Sequence, residues 1–236
     1  MNERISVIIP TYQHAKTLAH TLESIFAQTV KPYEIIVVND GSTDDTASVL
    51  DQFVGRLIRI DQQNLGGNSA RNRGFVESTG DFLVFCDADV VLIPTALQMM
   101  LTALKTHQEA AFAYSAFRFG WKRFRSFHYS AIRLRKMNYI HTTSLIRRGA
   151  FPGFDPTLKR FQDWDLWLTM LEHGYKGALI PEELFSVSDL AHHVGISQWT
   201  PSFLHAIPWE RLPWMPRSIR AFRAAREVIR KKHHLS

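Results

Sequence analysis

Ile5-Ser-Val-Ile-Ile-Pro10 and Tyr33-Glu-Ile-Ile-Val-Val38 are the segments that decide the fold of this chain. Each is a short apolar run of the kind that forms a strand buried on both faces. Between them, Thr17 to Gln28 carries apolar side chains at helical spacing. A strand, a helix and a second buried strand in this order predict a parallel βαβ unit.

The same alternation of strand and helix continues with short links. Further strands are predicted at Leu57–Ile60 and Asp81–Cys86, and further helices at Ser69–Ser78 and Pro94–His107. An N-terminal signal at Ser42 or Thr43 predicts one more helix after the second strand. The pattern predicts an α/β protein with a mixed, mostly parallel sheet flanked by helices.

The second half of the sequence is less regular than the first. Its predicted elements are strands at Ala110–Phe117, Tyr139–Ile146 and Tyr175–Ile180, and a helix at Phe161–His173. We expect one domain over residues 1–198, with a Rossmann-like nucleotide-binding half (1–108) and an acceptor half (109–198). Residues 199–236 form a predicted C-terminal extension.

Composition limits the class of protein. The chain has 236 residues, enough for one sizeable core, and a single cysteine, Cys86, so no disulfide can form within it. No apolar run approaches about 18 residues, and the N-terminus lacks the features of a signal peptide. We therefore expect a cytoplasmic protein, with contact to the inner face of the membrane as an option.

The net charge of +6 is concentrated in two segments. Arg118–Lys136 contains seven Lys and Arg and no acid, and Arg211–Ser236 contains eight with one acid. Such segments are either solvated faces or contacts with an anionic surface. In the second, apolar and basic residues fall on opposite sides of a predicted helix. This basic amphipathic helix either lies on an anionic membrane or packs on its own domain.

Polar residues follow three predicted strands at the point where each strand ends. They are Pro10-Thr11-Tyr12, Asn39-Asp40-Gly41 and Asp87-Ala88-Asp89. In parallel sheets the carboxyl ends of the strands face one crevice, where ligands bind. The two carboxylates of Asp87 and Asp89 could share Mg²⁺ or Mn²⁺ there, although an isolated Asp-X-Asp is more often a turn.

Two other segments carry candidate chemistry. The glycine-bearing loop from Asn64 to Gly74 leads into a basic helix, where main-chain amides and Arg71 could hold a diphosphate. It matches neither the dinucleotide nor the ATP fingerprint. An acid within Gln162-Asp-Trp-Asp165 is either a general base or part of a solvated helix face.

Taken in order, these motifs resemble the family 2 glycosyltransferases, whose fold is called GT-A. The resemblance rests on Ser6 to Tyr12, Glu34 to Asp44, Asn64 to Gly74, Asp87 to Asp89 and Gln162 to Asp165, and covers roughly residues 4–198. It implies transfer of a sugar from a nucleoside diphosphate sugar to a hydroxyl, with inversion and with help from Mn²⁺ or Mg²⁺. A UDP-sugar and a glycan or lipid-linked acceptor are the implied partners.

The resemblance also implies roles for individual residues. The sugar-nucleotide contacts would be Pro10, Thr11, Tyr12, Asp40, Asn68, Arg71 and Asp87. Asp89 and Asp87 would hold the metal, with His192 or His193 as a further ligand. Asp163 would be the catalytic base, and Trp164, Asp165 and Tyr139 would contact the acceptor. Two departures from the family pattern are Gln162, where glutamate is usual, and the lack of an arginine ahead of the His192-His193 pair.

Other functions fit the sequence less well. A nucleotidyltransferase would usually carry a glycine-rich basic loop after the first strand, where this chain has Thr11-Tyr12-Gln13-His14. A nucleic-acid-binding protein would suit the basic aromatic stretch Phe117–Tyr129, but the acids of the crevice would repel phosphate. We therefore expect no nucleic-acid partner. A nucleic-acid- or nucleotide-binding protein without transferase activity remains the alternative.

Overall fold

The computed structural model describes residues 3–188 and 216–235, and its centre is a nine-stranded sheet. The strands are β1 (Ile5–Thr11), β2 (Glu34–Asp40), β3 (Ile58–Gln62), β4 (Phe82–Phe85), β5 (Val90–Leu92), β6 (Ala110–Phe119), β7 (Lys122–Phe124), β8 (Leu145–Arg147) and β9 (Lys176–Val187). The helices are α1 (Leu18–Phe26), α2 (Thr46–Asp51), α3 (Gly67–Glu77), α4 (Ala96–Thr106), α5 (Ala131–Lys136), α6 (Gln162–Glu172) and α7 (Arg217–Lys232), with a 3-10 turn at Arg148–Ala150.

The sheet combines parallel and antiparallel strands, in the order β3-β2-β1-β4-β8-β6-β9-β5, with β7 paired to β6. Strands β1 to β4 form a parallel block. Strand β8 is antiparallel to both β4 and β6, so β6 points in the same direction as β4. The predicted α/β class and mixed sheet are confirmed. The carboxyl ends of β1, β2, β4 and β6 all lie at one edge, called the site edge below.

Strand β1 is buried on both faces, as its apolar run predicted. Val7 and Ile9 belong to the core that includes α1 and α4, whereas Ile8 belongs to the core on the opposite face. On that face α3 approaches very closely: a Cβ built on Gly74 would lie 2.4 Å from Ile8 Cγ2. Glycine is required there because no side chain fits between helix and strand.

The structure corrects several predicted boundaries. Of the predicted strand Tyr139–Ile146 only Leu145 and Ile146 are extended, as part of β8, because the segment before them forms a local turn in which Ser144 N–H bonds to Thr142 O. Strand β9 continues past Pro181 to Val187, since a register shift against β6 accommodates a residue without an N–H. Helix α2 begins at Thr46, after the predicted Ser42–Thr43 signal. Strands β5 and β7 and helix α5 were not predicted.

Helix α7 packs on the domain. Ile219 and Ile229 are buried, and the Phe222 ring lies 5.0 Å from that of Phe161. Packing is therefore the alternative that the structure shows for the apolar side of this helix. Across the described ranges, no helix has the length and apolar character needed to traverse a bilayer. The division into two halves stays a prediction, and the sheet is continuous through both, because β5 pairs with β9.

Candidate active site

The end of β1 contributes two kinds of group to the site edge. Pro10 and Thr11 are buried and pair with Val38 and Asn39 of β2. The Thr11 hydroxyl is one of the few buried side-chain oxygens with no hydrogen-bond partner among the described residues. Tyr12, the next residue, is 39% exposed. An unsatisfied hydroxyl beside an exposed ring suits a polar, planar ligand.

Asp40, at the end of β2, is bound to the loop that follows β3. Its buried carboxylate accepts hydrogen bonds from Gln62 Nε2 at 2.7 Å, Leu65 N at 2.9 Å and Gly66 N at 2.8 Å. Asp40 thereby fixes the loop that begins α3, and Gly66 adopts a positive φ of 91° in it. The predicted contact of Asp40 with a nucleoside stays a prediction.

Helix α3 brings a cation to the end of β4. Arg71 Nη2 donates to Asp87 Oδ1 at 2.6 Å, and the Arg71 side chain is only 7% exposed. Asn68 supports this geometry, because its Oδ1 accepts from Arg71 Nη1 at 3.2 Å and its Nδ2 donates to Asp155 O. Asn68 therefore positions Arg71, and the structure shows no free amide on Asn68 for a ligand.

The two carboxylates after β4 have different electrostatic environments. Burial alone would raise the pKa of Asp87, but the Arg71 guanidinium, with His141 and His14, holds it below its ordinary value. Burial and, second, the charge of Asp87 raise the pKa of Asp89 to about 7. No described residue other than Asp89 itself donates a hydrogen bond to the Asp89 carboxylate.

This donor set fits a hard divalent cation. The Asp89 carboxylate feels the charge of Asp87 and receives no hydrogen bond from another described residue, so a cation that shares the two charges would stabilise it. Among residues 3–188 and 216–235, no group of three or more His, Cys, Asp or Glu side chains forms a complete metal cage. The candidate ligands His192 and His193 lie outside the described residues.

Asp163 lies in the first turn of α6. Its Oδ2 accepts from Asn138 Nδ2 at 2.7 Å and its Oδ1 from Trp164 N at 2.9 Å. The carboxylate therefore lies at the positive end of the helix dipole. The side chain is half-buried, and these two hydrogen bonds fix both of its oxygens.

The two neighbours of Asp163 do not face the same way, which corrects their predicted acceptor role. Trp164 is 2% exposed and its Nε1 donates to Leu134 O. Asp165 is 3% exposed and lies 2.8 Å from both His233 Nε2 and Lys232 Nζ. Successive helical residues are rotated by about 100°, so only one of three adjacent side chains can face the crevice. Tyr139, whose hydroxyl accepts from Ser130 N, is only partly buried, and its contact with the acceptor stays a prediction.

His141 was missed by the sequence prediction. Its ring packs between Phe117 at 4.8 Å and Phe185 at 5.0 Å, and it lies close enough to Asp87 and Asp163 to be influenced by both charges. Burial lowers its pKa despite those charges. Nδ1 accepts from Thr143 N at 3.0 Å, so the neutral ring carries its proton on Nε2. Neither charge nor periodicity marks a lone histidine in an irregular segment.

Comparison with known proteins agrees with this arrangement. The sequence model for "Glycosyl transferase family 2" matches residues 6–162. This chain belongs to glycosyl transferase family 2. The predicted family is confirmed, and the family's name gives the class of enzyme that was predicted, a glycosyltransferase.

Relatives within family 2 match to different extents. The Nostoc protein "Uncharacterized glycosyltransferase alr2836" is 38% identical over 107 residues, which are 44% of this chain but only 33% of that protein. "Putative glycosyltransferase EpsE" from Bacillus subtilis is 27% identical over 207 residues, which are 79% of this chain and 73% of EpsE.

Solved structures confirm the predicted GT-A fold. Residues 1–349 of TarS from S. aureus align with a TM-score of 0.66 at 18% identity, covering 99% of this chain and 72% of that one. The mannosyltransferase PcManGT from Pyrobaculum calidifontis, solved with GDP-Man and Mn²⁺, aligns with a TM-score of 0.66 at 19% identity, covering 96% and 69%.

Proposed function

We propose that this family 2 member transfers a sugar from a nucleoside diphosphate sugar to an acceptor hydroxyl, with inversion at the sugar carbon. The observation that carries the proposal is that two differently held carboxylate groups both lie close enough to the buried His141 to influence it. Asp87 and Asp89 crowd each other beside Arg71, whereas Asp163 stands on a helix N-terminus and is fixed by Asn138. The first group suits a diphosphate with a cation, and the second suits proton transfer.

The sugar-nucleotide side is formed by the ends of β1 and β4. Thr11 offers an unpaired hydroxyl, Tyr12 an exposed ring, and Arg71 a nearly buried positive charge. TarS has been solved with UDP and UDP-GlcNAc, and PcManGT with GDP-Man and Mn²⁺. We propose a UDP-sugar as the substrate, with a GDP-sugar as the competing class.

A divalent cation, Mn²⁺ or Mg²⁺, is part of the proposal. Asp89 and Asp87 would hold it, and when bound it would neutralise the diphosphate that departs. Other residues of the chain would hold Asp87 and Asp89 in position for the cation. Arg71 keeps Asp87 ionised, and the main-chain bonds around Asp87 and Val90 fix the turn, since Val90 N donates to Asp87 O at 3.1 Å.

Asp163 would act as the general base. Its carboxylate would take the proton from the acceptor hydroxyl as that oxygen forms a bond to the anomeric carbon. The bond from that carbon to the diphosphate would break on the opposite face, and its electron pair would leave with the nucleoside diphosphate. One displacement inverts the carbon. The bond from Asn138 keeps the Asp163 carboxylate aimed during the step.

The acceptor is proposed to be a glycan or a lipid-linked sugar, as in the synthesis of a surface polysaccharide. Tyr139 is the support for this part, since its ring packs near Phe127 with centroids 5.9 Å apart, beside the Asn138–Asp163 contact. Aromatic faces are suited to packing against the apolar face of a sugar ring.

Thermal unfolding with UDP, GDP, dTDP and CDP, each with and without Mn²⁺, tests the proposal. A ligand at about 100 times its dissociation constant adds roughly 2.7 kcal/mol, which corresponds to roughly 5–10 °C. We expect a metal-dependent rise with one nucleotide that is lost in Asp89→Asn. Asp51→Asn, a change of an exposed carboxylate away from the site edge, is the matched control.

The outcome separates binding from chemistry. The second assay measures release of nucleoside diphosphate from the nucleotide sugar whose base gave the thermal shift. This release should be lost when Asp163 is replaced, whereas the rise in thermal midpoint with the nucleotide should remain. The absence of a rise with any nucleotide, with Mn²⁺ present and the protein folded, would overturn the proposal.

A further inference from the structure

Five large apolar side chains are exposed on one part of the second half. They are Trp121 (87% exposed), Phe127 (38%), Ile132 (69%), Met137 (46%) and Val228 (51%). Trp121 lies between β6 and β7, at the site edge, and the other four lie before, on and after α5 or on α7. Exposed apolar groups that gather in this way indicate an interaction surface.

Cations without acidic partners surround these side chains. Arg125, Arg135 and Lys136 are exposed and have no ion-pair partner among the described residues, and the same holds for Arg220 and Lys231 of α7. Two other cations nearby, Arg118 of β6 and Arg123 of β7, do have an acidic partner, because both form ion pairs with Glu183. We refer to residues 121–137 and the exposed side of α7 as the basic-apolar face.

Direct contacts join the parts of this face. Arg226 Nη2 of α7 lies 3.4 Å from Lys136 O at the end of α5, and the Arg133 guanidinium lies 4.1 Å from the Phe127 ring. The face also borders the site, because Met137 precedes Asn138, which holds Asp163. It is therefore one surface beside the crevice.

The apolar side of α7 is not available for insertion. Ile219 and Ile229 are buried against the domain and Phe222 packs on Phe161. Of the two alternatives that the sequence left open, contact of α7 with a membrane through its own apolar side is therefore inconsistent with the packing of that side on the domain. What α7 presents outward is mainly positive charge, and the exposed apolar groups come mostly from the segment around α5.

We propose that the basic-apolar face binds the surface of an anionic bilayer. Its arginines and lysines would contact lipid phosphates, and Ile132, Met137 and Phe127 would enter the interface between headgroups and chains. Trp121 could stack on one base, but single-stranded nucleic acid fits less well because Ile132 and Met137 offer no ring for further bases and the Phe127 ring is already covered by Arg133. The proposal does not depend on transferase activity.

Flotation of the full chain with vesicles tests the proposal directly. The vesicles contain phosphatidylcholine with or without phosphatidylglycerol, at low and at high salt. We expect binding only to the anionic vesicles, weakened by salt because exposed charges are screened. Each cation near the surface contributes about 1 kcal/mol, or about fivefold in partitioning.

Two double variants distinguish the contribution of this face from an effect of net charge, and a third tests its apolar side chains. Arg135→Gln with Lys136→Gln should weaken binding about 25-fold, that is about fivefold for each lost cation. Lys16→Gln with Lys176→Gln removes the same charge from other exposed positions and should change binding less than about twofold. Ile132→Ser with Met137→Ser should remove the part of binding that resists salt.

The opposite results are equally clear. Equal losses in the two charge pairs, or no binding of the unchanged protein to anionic vesicles, would overturn the proposal. Tighter binding to a single-stranded oligonucleotide than to the vesicles, lost in the same Arg135 and Lys136 variant, would replace the bilayer by a nucleic acid. An unchanged thermal midpoint in each variant shows that folding is not the cause.

Discussion

Replacement of His233 by leucine should release α7 from the domain. The two ring nitrogens of His233 lie 2.8 Å from Asp165 Oδ1 and 2.8 Å from Glu172 Oε1. Carboxylate oxygens accept hydrogen bonds and a neutral imidazole has only one N–H, so both contacts are satisfied only by the protonated ring. The ring is 2% exposed, so the protonated His233 is a buried cation that is paired with two carboxylates.

The magnitude follows from the environment of each carboxylate. The bond to Asp165 is buried and charged, worth about 1.5–3 kcal/mol, whereas Glu172 is 50% exposed and its pair adds about 0–1 kcal/mol. Leucine keeps most of the apolar packing, and Lys232 remains 2.8 Å from Asp165. We therefore expect a loss of about 3 kcal/mol, or roughly 6–12 °C in the thermal midpoint if α7 unfolds with the domain.

Amide hydrogen exchange measures the same change locally. If α7 opens independently, its amides should exchange about 100-fold faster in His233→Leu, since about 1.4 kcal/mol is a factor of ten. His107→Leu, which removes an exposed histidine 3.5 Å from Glu109, is the matched control and should stay within about 0.5 kcal/mol of the unchanged protein.

The pH dependence gives the sharpest check. Burial alone would lower the pKa of His233, but the hydrogen bonds with Asp165 and Glu172 raise it above its ordinary value. A raised pKa in the folded state means that the stabilisation is full below about pH 6.5 and is lost as the pH rises through the raised value. The protection of α7 amides from hydrogen exchange should therefore decrease as the pH rises in the unchanged protein, and should not depend on pH in this way in His233→Leu. Equal protection of the two proteins at low pH would refute the reasoning.

Three further predictions concern the site and the sheet. Asp163→Asn should lower sugar transfer about 10²–10⁴-fold while the thermal shift with nucleotide is retained, because only the proton acceptor is lost. Arg71→Gln removes the cation that keeps the pKa of Asp87 low. The metal-dependent thermal shift, which should disappear when Asp87 is protonated, should therefore disappear at a higher pH in this variant than in the unchanged protein. Gly74→Ala places a Cβ 2.4 Å from Ile8 Cγ2 and should lower the free energy of unfolding by about 1–3 kcal/mol, measured by urea titration.

The sequence was sufficient wherever the structure depends on neighbours along the chain. The apolar runs at β1, β2 and β4 predicted buried parallel strands, and strand ends in such a sheet must share an edge. That reasoning brought Thr11, Asp40 and Asp87 to one crevice without a structure. It also predicted the amphipathic character of the C-terminal helix, although not which surface covers its apolar side.

The errors came from contacts between residues that are distant in sequence. Trp164 and Asp165 were predicted to face the acceptor because they adjoin Asp163, but their direction depends on α5 and α7, which cover the other sides of α6. The hydrogen bonds from Leu65 and Gly66 to Asp40 could likewise not be predicted from the sequence, and the contact of Asp40 with a nucleoside stays a prediction. Periodicity contains no information about such long-range pairing.

Cys86 gives the chain a useful experimental property. The thiol is buried, and burial together with the charges of Asp87 and Asp89 raises its pKa well above the ordinary value. Alkylating reagents attack the thiolate, so the folded chain should resist them. A cysteine placed at an exposed position could then carry a spectroscopic probe without removal of the natural one. The slow rate of alkylation of Cys86 itself would measure how often the end of β4 opens, directly before Asp87.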